Sequence, residues 1–401
     1  PPPTTVSRPR RQRQMCIRDS LVLIGRRDVD LPIVSLRAGG LATEIRLNEL
    51  RITAQETAAY FKTVLGDLVD EPTAANLAKK SEGWITGLRL AVLAARGHDD
   101  AIDKLLKLKG TMAYVMDYLI TEVLDTQSPV IRRYLLSTSI LDRFCASLCD
   151  ALCGPDAEPG EGDIDGVEFT ARLQKDSLFE IALDTENRWF RYHHLFQQLL
   201  QRQLEQRSKP EEVATLHGRA SEWFESQGLF TVSIEHALEA GDLIRAAEII
   251  EKCRNDEFTA ERWYIVQQWL AMLPADIRQE RPKLLLTEAW IANLQQQLTR
   301  VPMLLDQAES LLRIQTAEPT LSAEIAFFRG YFAFFEGQAE GSLQHLEEAV
   351  VELVGTKSPF LGEAELMLGL ARCMAGHKDL AVRALEARIG EVDSSENYLL
   401  S

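Results

Sequence analysis

The sequence predicts a mainly α-helical chain in which a helical domain and a winged-helix domain precede an α-solenoid of helical repeats. Three patterns predict this class. Amphipathic helices begin after a capping box at Thr53, a short β-hairpin ends near Tyr192, and small residues recur about every 40 positions near the end of the chain. A short apolar run at Leu21 adds the remnant strand of an α/β domain.

The composition is that of a soluble globular protein with two to four domains. The chain has 401 residues, of which 46% are hydrophobic and 26% are charged. No apolar run reaches the roughly 18 residues that a membrane span needs, and no signal peptide is present. We therefore expect a cytoplasmic protein that makes no contact with a membrane.

Residues 1–20 differ from the rest of the chain. They contain five Arg and one Asp and show neither a helical nor a strand period, so we expect a disordered or non-native leader. The alternative is a basic arm that contacts nucleic acid. Because the whole chain has a net charge of −16, the remainder carries −20. Such an acidic body repels phosphate backbones and argues against DNA binding by this segment.

The first ordered elements are predicted as one strand followed by helices. Leu21–Gly25 has the continuous apolar character of a buried parallel strand. A parallel sheet needs more than one such strand, so we expect the chain to begin inside a larger domain. Thr53 and Glu56 form a capping box that opens a helix to about Leu65. Further helices are predicted from Pro72 to about residue 81 and over 84–96, 112–124 and 128–138.

A hairpin that runs directly into a helix is the most informative local pattern. Strand-like segments at 178–183 and 188–192 flank a turn, and a helix follows from Leu195. This order is typical of the wing of a winged-helix domain. His193 and His194 lie at the junction, where an imidazole can donate a hydrogen bond to a phosphate. The alternative is that both are ordinary polar residues at the end of a strand.

From about residue 211 the chain is predicted as successive helical hairpins. Ala289, Gly330 and Gly369 occupy equivalent places at offsets of 41 and 39, and Ala308 and Ala349 match on the second helices. Small residues at these places allow paired helices to approach closely. A two-helix repeat of this length indicates a tetratricopeptide-like solenoid, which presents a concave groove.

The motifs of several enzyme classes are absent. The sequence contains no phosphate-binding G-x-x-x-x-G-K-[ST] loop and no G-x-S-x-G, H-E-x-x-H or G-x-G-x-x-G motif. Cys145, Cys149 and Cys153 repeat every four residues, which favours a reduced, buried helix face over a zinc site. We therefore expect no catalytic residues, no metal site and no enzymatic activity in this chain.

Seven short motifs in order resemble the large ATP-binding LuxR-type transcription regulators, the MalT-like group of signal-transducing ATPases. These motifs are residues 21–28, 44–46, 82–84, 87–88, 118–124, 138–143 and 192–196. The resemblance is specific from residue 21 to about 255, and beyond that it depends on the repeat architecture alone.

The resemblance implies a plan with a nucleotide-binding region, a helical domain, a winged helix, a repeat sensor and a C-terminal helix-turn-helix. On this plan we assign five parts to the chain. They are the leader at 1–20, a C-terminal remnant of the nucleotide-binding domain at 21–51, a helical domain at 52–110, the winged helix at 111–208 and the repeats at 209–401. Walker motifs would precede residue 21, and a DNA-binding domain would follow residue 401.

The resemblance also implies three nucleotide-contacting residues. Arg26 matches an arginine that faces the γ-phosphate, where its fixed charge is useful. Gly83 belongs to an element that lines the nucleotide cleft, although Ile85 replaces the proline of that element. His193 matches a histidine that contacts the β-phosphate of ADP, and His194 replaces the aspartate that usually follows. The alternatives are that Arg26 pairs with a surface acid and that Trp84 belongs to the core.

The implied function is that of a fragment of an effector-responsive transcription regulator. ATP and ADP are its nucleotides in the intact protein, but neither is expected to bind tightly to this chain alone. A small molecule or a protein would bind the repeats, and activation would lead to self-association. DNA would be bound only through the absent C-terminal domain. The alternative is a standalone helical-repeat adaptor that binds protein partners without a nucleotide.

Overall fold

The computed structural model describes residues 39–65 except 44 and 46, 71–89 except 82, 86 and 87, 120–154, 164–314 except 177 and 179, and 318–391 except 357. The predicted leader, the strand at Leu21 and Arg26 lie outside the described residues. The chain divides into two compact units. The first contains residues up to Ile131 together with 164–199, and the second contains 132–163 and the chain from Leu200.

Short helices and one hairpin form the described part of the first unit. Its helices α1, α2 and α3 span Leu47–Leu50, Ala54–Leu65 and Glu71–Lys80. A π-helical turn at Ile120–Leu124 precedes α4, Pro129–Thr138, which continues into the second unit. Phe61 on α2 and Ala78 on α3 are buried where these helices pack together.

The predicted capping box opens α2. The backbone N–H of Thr53 donates to Glu56 Oε2 at 2.8 Å, and the N–H of Glu56 donates to Thr53 Oγ1 at 3.2 Å. This reciprocal pair satisfies two of the N–H groups that a helix leaves unpaired at its start. The helix then ends at Leu65, as predicted from the sequence.

The predicted hairpin is confirmed, with shorter strands. After α5 (Ala146–Cys153) and α6 (Gly166–Asp176), strand β1 (Glu180–Ala182) pairs antiparallel with β2 (Phe190–Tyr192). The Asp184 carboxylate accepts from the N–H of Arg188 at 2.8 Å and so closes the turn. Helix α7, His194–Arg207, begins two residues after β2.

Consecutive helices from Pro210 onward form the repeats. The first of them begins at Pro210, close to the predicted start at about residue 211, because proline fits the first turn of a helix. In order, α8 to α18 span Pro210–Ser226, Phe230–Glu239, Leu243–Thr259, Trp263–Met272, Ala275–Gln279, Pro282–Leu294, Val301–Leu312, Pro319–Phe335, Ala339–Leu353, Leu361–Met374 and Lys378–Glu391.

The core of the later repeats is built around Trp290. Its ring stacks on Phe360 with centroids 3.8 Å apart and lies 4.9 Å from Phe327. On α15, a Cβ at Gly330 would lie 2.6 Å from Leu346 Cγ on α16, so only glycine permits this approach of the two helices. The predicted role of a small residue is thus confirmed at this position, and the mainly helical fold is confirmed for the described chain.

Neither a membrane-spanning helix nor a metal-binding cluster is found among the described residues. None of the helices there is long and apolar enough to cross a membrane. No group of three or more His, Cys, Asp or Glu side chains in that part of the chain is arranged to hold a metal ion. Cys149 and Cys153 are buried free cysteines on α5, in agreement with the predicted buried face.

Candidate functional site

His193 caps the helix that follows the hairpin. Its Nδ1 accepts a hydrogen bond from the backbone N–H of Leu195 at 3.3 Å, which is the geometry of an N-cap on α7. Its Nε2 lies 3.1 Å from the carbonyl oxygen of Ser81. Because a carbonyl only accepts, Nε2 carries the proton and donates, so the ring is the neutral Nε2–H tautomer.

The Ser81 contact joins two parts of the first unit that are 112 residues apart in sequence. Ser81 lies in the turn after α3 and is buried, and its Oγ donates to the carbonyl of Ala78 at 3.2 Å. The ring of Trp84 meets the ring of His193 edge-on, with centroids 6.2 Å apart. His193 is itself only 6% exposed. The imidazole is therefore enclosed by the turn at residues 81–84.

Gly83 shapes this turn through its backbone. Its φ angle is 73°, a left-handed conformation that side chains disfavour. Its carbonyl accepts from the N–H of Ile52 at 3.0 Å, and its own N–H donates to Ala78 at 3.1 Å. A Cβ here would lie 2.6 Å from the carbonyl oxygen of Ile52. Only glycine fits, so Gly83 holds the turn against the segment before α2.

The structure brings two of the three predicted site residues together. Gly83 lies in the turn whose Ser81 carbonyl receives the His193 proton. Arg26 lies outside the described residues. His194 is exposed beside His193, and its Nε2 is 3.3 Å from the side-chain nitrogen of Gln198 one turn further on. Ile85, at the position of the family's proline, is 40% exposed.

Nothing in the sequence pattern singles out Ser81 or Glu180. The Ser81 contact uses a backbone carbonyl, which no residue type identifies in a sequence. Glu180 pairs with Tyr192 in the hairpin register, one residue before His193. Its Oε2 is buried without a hydrogen-bond partner among the described residues, and burial raises the pKa of this carboxyl to about 7. The sequence signal that could have identified Glu180 is an acidic residue within a strand of this hairpin.

Residues 120–213 match the family described as the MalT winged helix domain. The HTH-type transcriptional regulator MalT of Serratia proteamaculans is 30% identical over 335 residues, which are 82% of this chain and 36% of that protein. MalT of Yersinia pestis is 29% identical over 325 residues, covering 80% and 35%.

The chain is MalT-like. The resemblance expected from its seven motifs is confirmed, and His193 lies inside the matched winged helix. The serine/threonine-protein kinase PknK of Mycobacterium tuberculosis is also 31% identical over 324 residues, which are 80% of this MalT-like chain and 28% of the kinase. The chain thus spans about a third of the length of these curated relatives.

A solved structure with low sequence identity is also similar to the MalT-like chain. It is the signal transduction ATPase with numerous domains and a tetratricopeptide repeat sensor from Pyrococcus horikoshii. The match has a TM-score of 0.49 at 12% identity and covers 88% of this chain and 50% of the other.

Proposed function

We propose that the chain is the central part of an ATP-dependent, effector-responsive transcription regulator of the LuxR family. In this proposal the winged helix takes part in a nucleotide switch, and the helical repeats bind the effector. The observation that supports it is the geometry of His193. This residue caps α7 in the MalT-type winged helix and places its one N–H on the carbonyl of Ser81.

The donor chemistry of His193 fits a phosphate group. ADP or ATP would supply an anionic oxygen, and His193 would supply the Nε2–H that now donates to Ser81. The one N–H of the His193 ring cannot donate a full hydrogen bond to two acceptors at once. The hydrogen bond to Ser81 and a hydrogen bond to phosphate would therefore compete. Nδ1 stays engaged with Leu195 in both arrangements, so α7 keeps its cap.

The other assigned residues would support this exchange. Gly83 would keep the turn in place through its bonds to Ile52 and Ala78, so that the Ser81 carbonyl remains available when no phosphate is bound. Arg26 is proposed as a fixed positive charge on the γ-phosphate side. Self-association and DNA binding are proposed for the activated whole protein, with DNA bound outside this chain.

Two substitutions at His193 in the full-length protein test the switch. His193→Ala removes both the cap and the Nε2–H, and His193→Asn retains an oxygen that caps a helix well but does not reach Ser81. We expect both variants to release ADP about 5- to 150-fold faster and to raise basal transcription, since about 1–3 kcal/mol of hydrogen bonding to a charged acceptor is lost. His193→Ala should lower the melting temperature more than His193→Asn, because it loses the cap as well as the bond to Ser81.

The opposite pattern would reject the switch. If His193→Asn retains ADP as tightly as the unmodified protein and leaves basal transcription unchanged, then His193 acts only as a cap. A reporter assay, an ADP dissociation rate and a thermal melt on each variant give the required comparison.

A second candidate function comes from the similarity to the kinase PknK. There, a segment like this one belongs to a protein named as a serine/threonine kinase. The chain would then be the sensing part of a kinase, and phosphoryl transfer would occur in a domain outside it. Extension of the reading frame in both directions would distinguish the regulator from the kinase sensor. A Walker loop upstream and a helix-turn-helix downstream support the regulator, whereas kinase motifs upstream support the second candidate.

A further inference from the structure

An open cavity of about 190 Å³ lies between two successive helical hairpins of the repeats. The turn that leads into α9 forms one side of the cavity, and parts of α10 and α11 form the other. Pockets that hold drug-sized ligands measure about 300–1,000 Å³. This cavity is smaller, so its size suits a small molecule.

The walls of the cavity are mainly apolar. Leu229, Phe230 and Ile265 line it, and each is half-buried. Trp269 lines it as well, with its ring edge-on to that of Phe230 at a centroid distance of 6.5 Å. Trp269 Nε1 donates to Thr231 Oγ1 at 2.9 Å, so the one polar atom of the indole is already paired. The indole and its neighbours therefore offer an apolar surface to a ligand.

An ion pair lines the same cavity. Glu257 on α10 accepts from Arg262 Nε at 2.7 Å through Oε2 and from Arg262 Nη2 at 3.0 Å through Oε1. Glu257 is only 6% exposed, whereas the side chain of Arg262 is 49% exposed. A buried carboxylate thus holds the guanidinium in a fixed orientation, and part of the guanidinium stays open to solvent.

Both charged groups keep hydrogen-bonding capacity for a ligand. Arg262 Nη1 makes no hydrogen bond with any residue that the structure describes. Each carboxylate oxygen of Glu257 accepts one hydrogen bond from Arg262 and has a second lone pair. The cavity therefore presents a free cationic donor and a free anionic acceptor side by side, next to an apolar wall.

A ligand with one charge matches this pair of groups poorly. An anion bound to Arg262 would lie close to the Glu257 carboxylate, on a chain whose net charge is −16. A cation bound to Glu257 would lie close to the Arg262 guanidinium. A zwitterion avoids both repulsions, because each of its charges lies beside a group of opposite sign.

We propose that this cavity binds a small zwitterion with an apolar side chain, of the α-amino acid class. Its carboxylate contacts Arg262, and its ammonium group contacts Glu257. Its side chain packs against Phe230, Ile265 and Trp269. The inference rests on the proposed sensor role of the repeats and names the chemical class of the effector.

Four related compounds test which groups of the ligand are required. L-Leucine is the probe; N-acetyl-L-leucine lacks its ammonium group, L-leucinamide lacks its carboxylate, and glycine lacks its apolar side chain. Calorimetric titration of the chain should show that L-leucine binds at least about tenfold more tightly than each of the other three. An absence of L-leucine binding, or equal affinity for a compound that lacks one charge, would overturn the proposal.

Two arginine variants locate the charged end of the site. Arg262→Gln should weaken L-leucine binding about tenfold or more, because it removes the cation that contacts the carboxylate. Arg313→Gln is the control. It breaks an ion pair with Glu309 whose N–O distance is 2.9 Å and which lies outside the cavity, so binding should not change. If Arg262→Gln leaves the affinity unaltered, at any melting temperature, then the ion pair is only structural and the site is rejected.

Two isoleucine variants locate the apolar end. Ile265→Ala should weaken L-leucine binding about fivefold, since it removes part of the apolar wall. Ile244→Ala on α10 is the control, because Ile244 is 50% exposed and does not line the cavity. Equal affinities of the two variants would show that the ligand does not contact this wall and would contradict the proposal.

The outcomes remain separate from those of the proposed switch. The titrations use no nucleotide, so their failure leaves the His193 experiment unaffected. If instead the His193 variants fail while L-leucine binds as expected, the repeats bind a zwitterion without the proposed nucleotide switch.

Discussion

The junction around His193 and the repeats after Pro210 are stabilised in different ways. At the junction, the key contacts end on backbone atoms: the Ser81 carbonyl, the Leu195 N–H and the peptide groups of Gly83. In the repeats, buried side chains carry the contacts, with Trp290 stacked on Phe360 and Arg254 paired with Glu324. A contact with one backbone carbonyl can be exchanged without unpacking a core. A buried side-chain network cannot be rearranged in this way.

This difference suits a switch attached to a sensor. In the proposed switch, one hydrogen bond of His193 would move between two acceptors, so the two arrangements of the junction would differ little in free energy. In the proposed function the repeats would transmit a change only if their packing stays intact. Gly330 shows how tightly they pack, because even one added methyl group would overlap with Leu346.

The largest expected effect is the loss of the buried ion pair in the repeats. Arg254→Met should lower the free energy of unfolding by about 3–5 kcal/mol, because it leaves the Glu324 carboxylate buried without its cation. Urea unfolding provides the measurement. Arg254→Met combined with Glu324→Leu removes both charges and should restore most of the loss. If the single variant loses less than about 1 kcal/mol, then buried side-chain charges do not determine the stability of the repeats.

The histidine pair of the first repeat hairpin should make stability depend on pH. His217 Nδ1 on α8 lies 2.9 Å from His236 Nδ1 on α9. Burial, and then the nearby His217, lower the pKa of His236 to about 4, and burial also lowers that of His217. Below pH 6.5 the unfolded chain takes up protons that the folded chain excludes, so stability is lost as the pH falls.

The expected loss is about 2 kcal/mol for His236 alone between pH 6.5 and 5, at about 1.4 kcal/mol per pH unit. Urea unfolding at pH 7, 6 and 5 measures it. His236→Phe keeps the stacking on Phe224 and should reduce the slope of stability against pH in this range. An unchanged slope would show that the pair titrates normally and that the early repeats are less closely packed than those around Trp290.

A difference between two glycine variants tests the junction. Gly83 and Gly337 both have left-handed backbones, with φ of 73° and 77°, so alanine costs about 1–2 kcal/mol at either position. Only at Gly83 would the added Cβ also meet a backbone oxygen, that of Ile52. Gly83→Ala should therefore lower the free energy of unfolding by about 2 kcal/mol more than Gly337→Ala. Equal losses of unfolding free energy would mean that the turn near His193 changes its backbone conformation easily to accept the added methyl group.

Much of the fold follows from short-range patterns. The capping box at Thr53 and Glu56 and the hairpin that ends at Tyr192 involve residues only a few positions apart, and both are present in the structure. The spacing of Ala289, Gly330 and Gly369 predicts the repeats because each helical pair buries the same face. Such signals depend on residue type and spacing, which a sequence displays directly.

The candidate site was only partly predictable. A resemblance singled out His193 and Gly83, but no pattern identified the Ser81 carbonyl, because every residue has a carbonyl and the partners are 112 positions apart. In the same way, Arg254 and Glu324 are 70 positions apart, and each resembles an ordinary surface charge in the sequence. Their burial arises only when α10, α13 and α15 pack together.

The sequence by itself determined the helices, the hairpin, the repeat period and the MalT-like character of this protein, because these depend on local spacing and on motifs. The tertiary structure decided which nitrogen of His193 carries the proton, why position 83 must be glycine, and that Arg254 pairs with Glu324. Long-range packing sets these properties, because the pairing and desolvation of a group depend on neighbours far away in the chain.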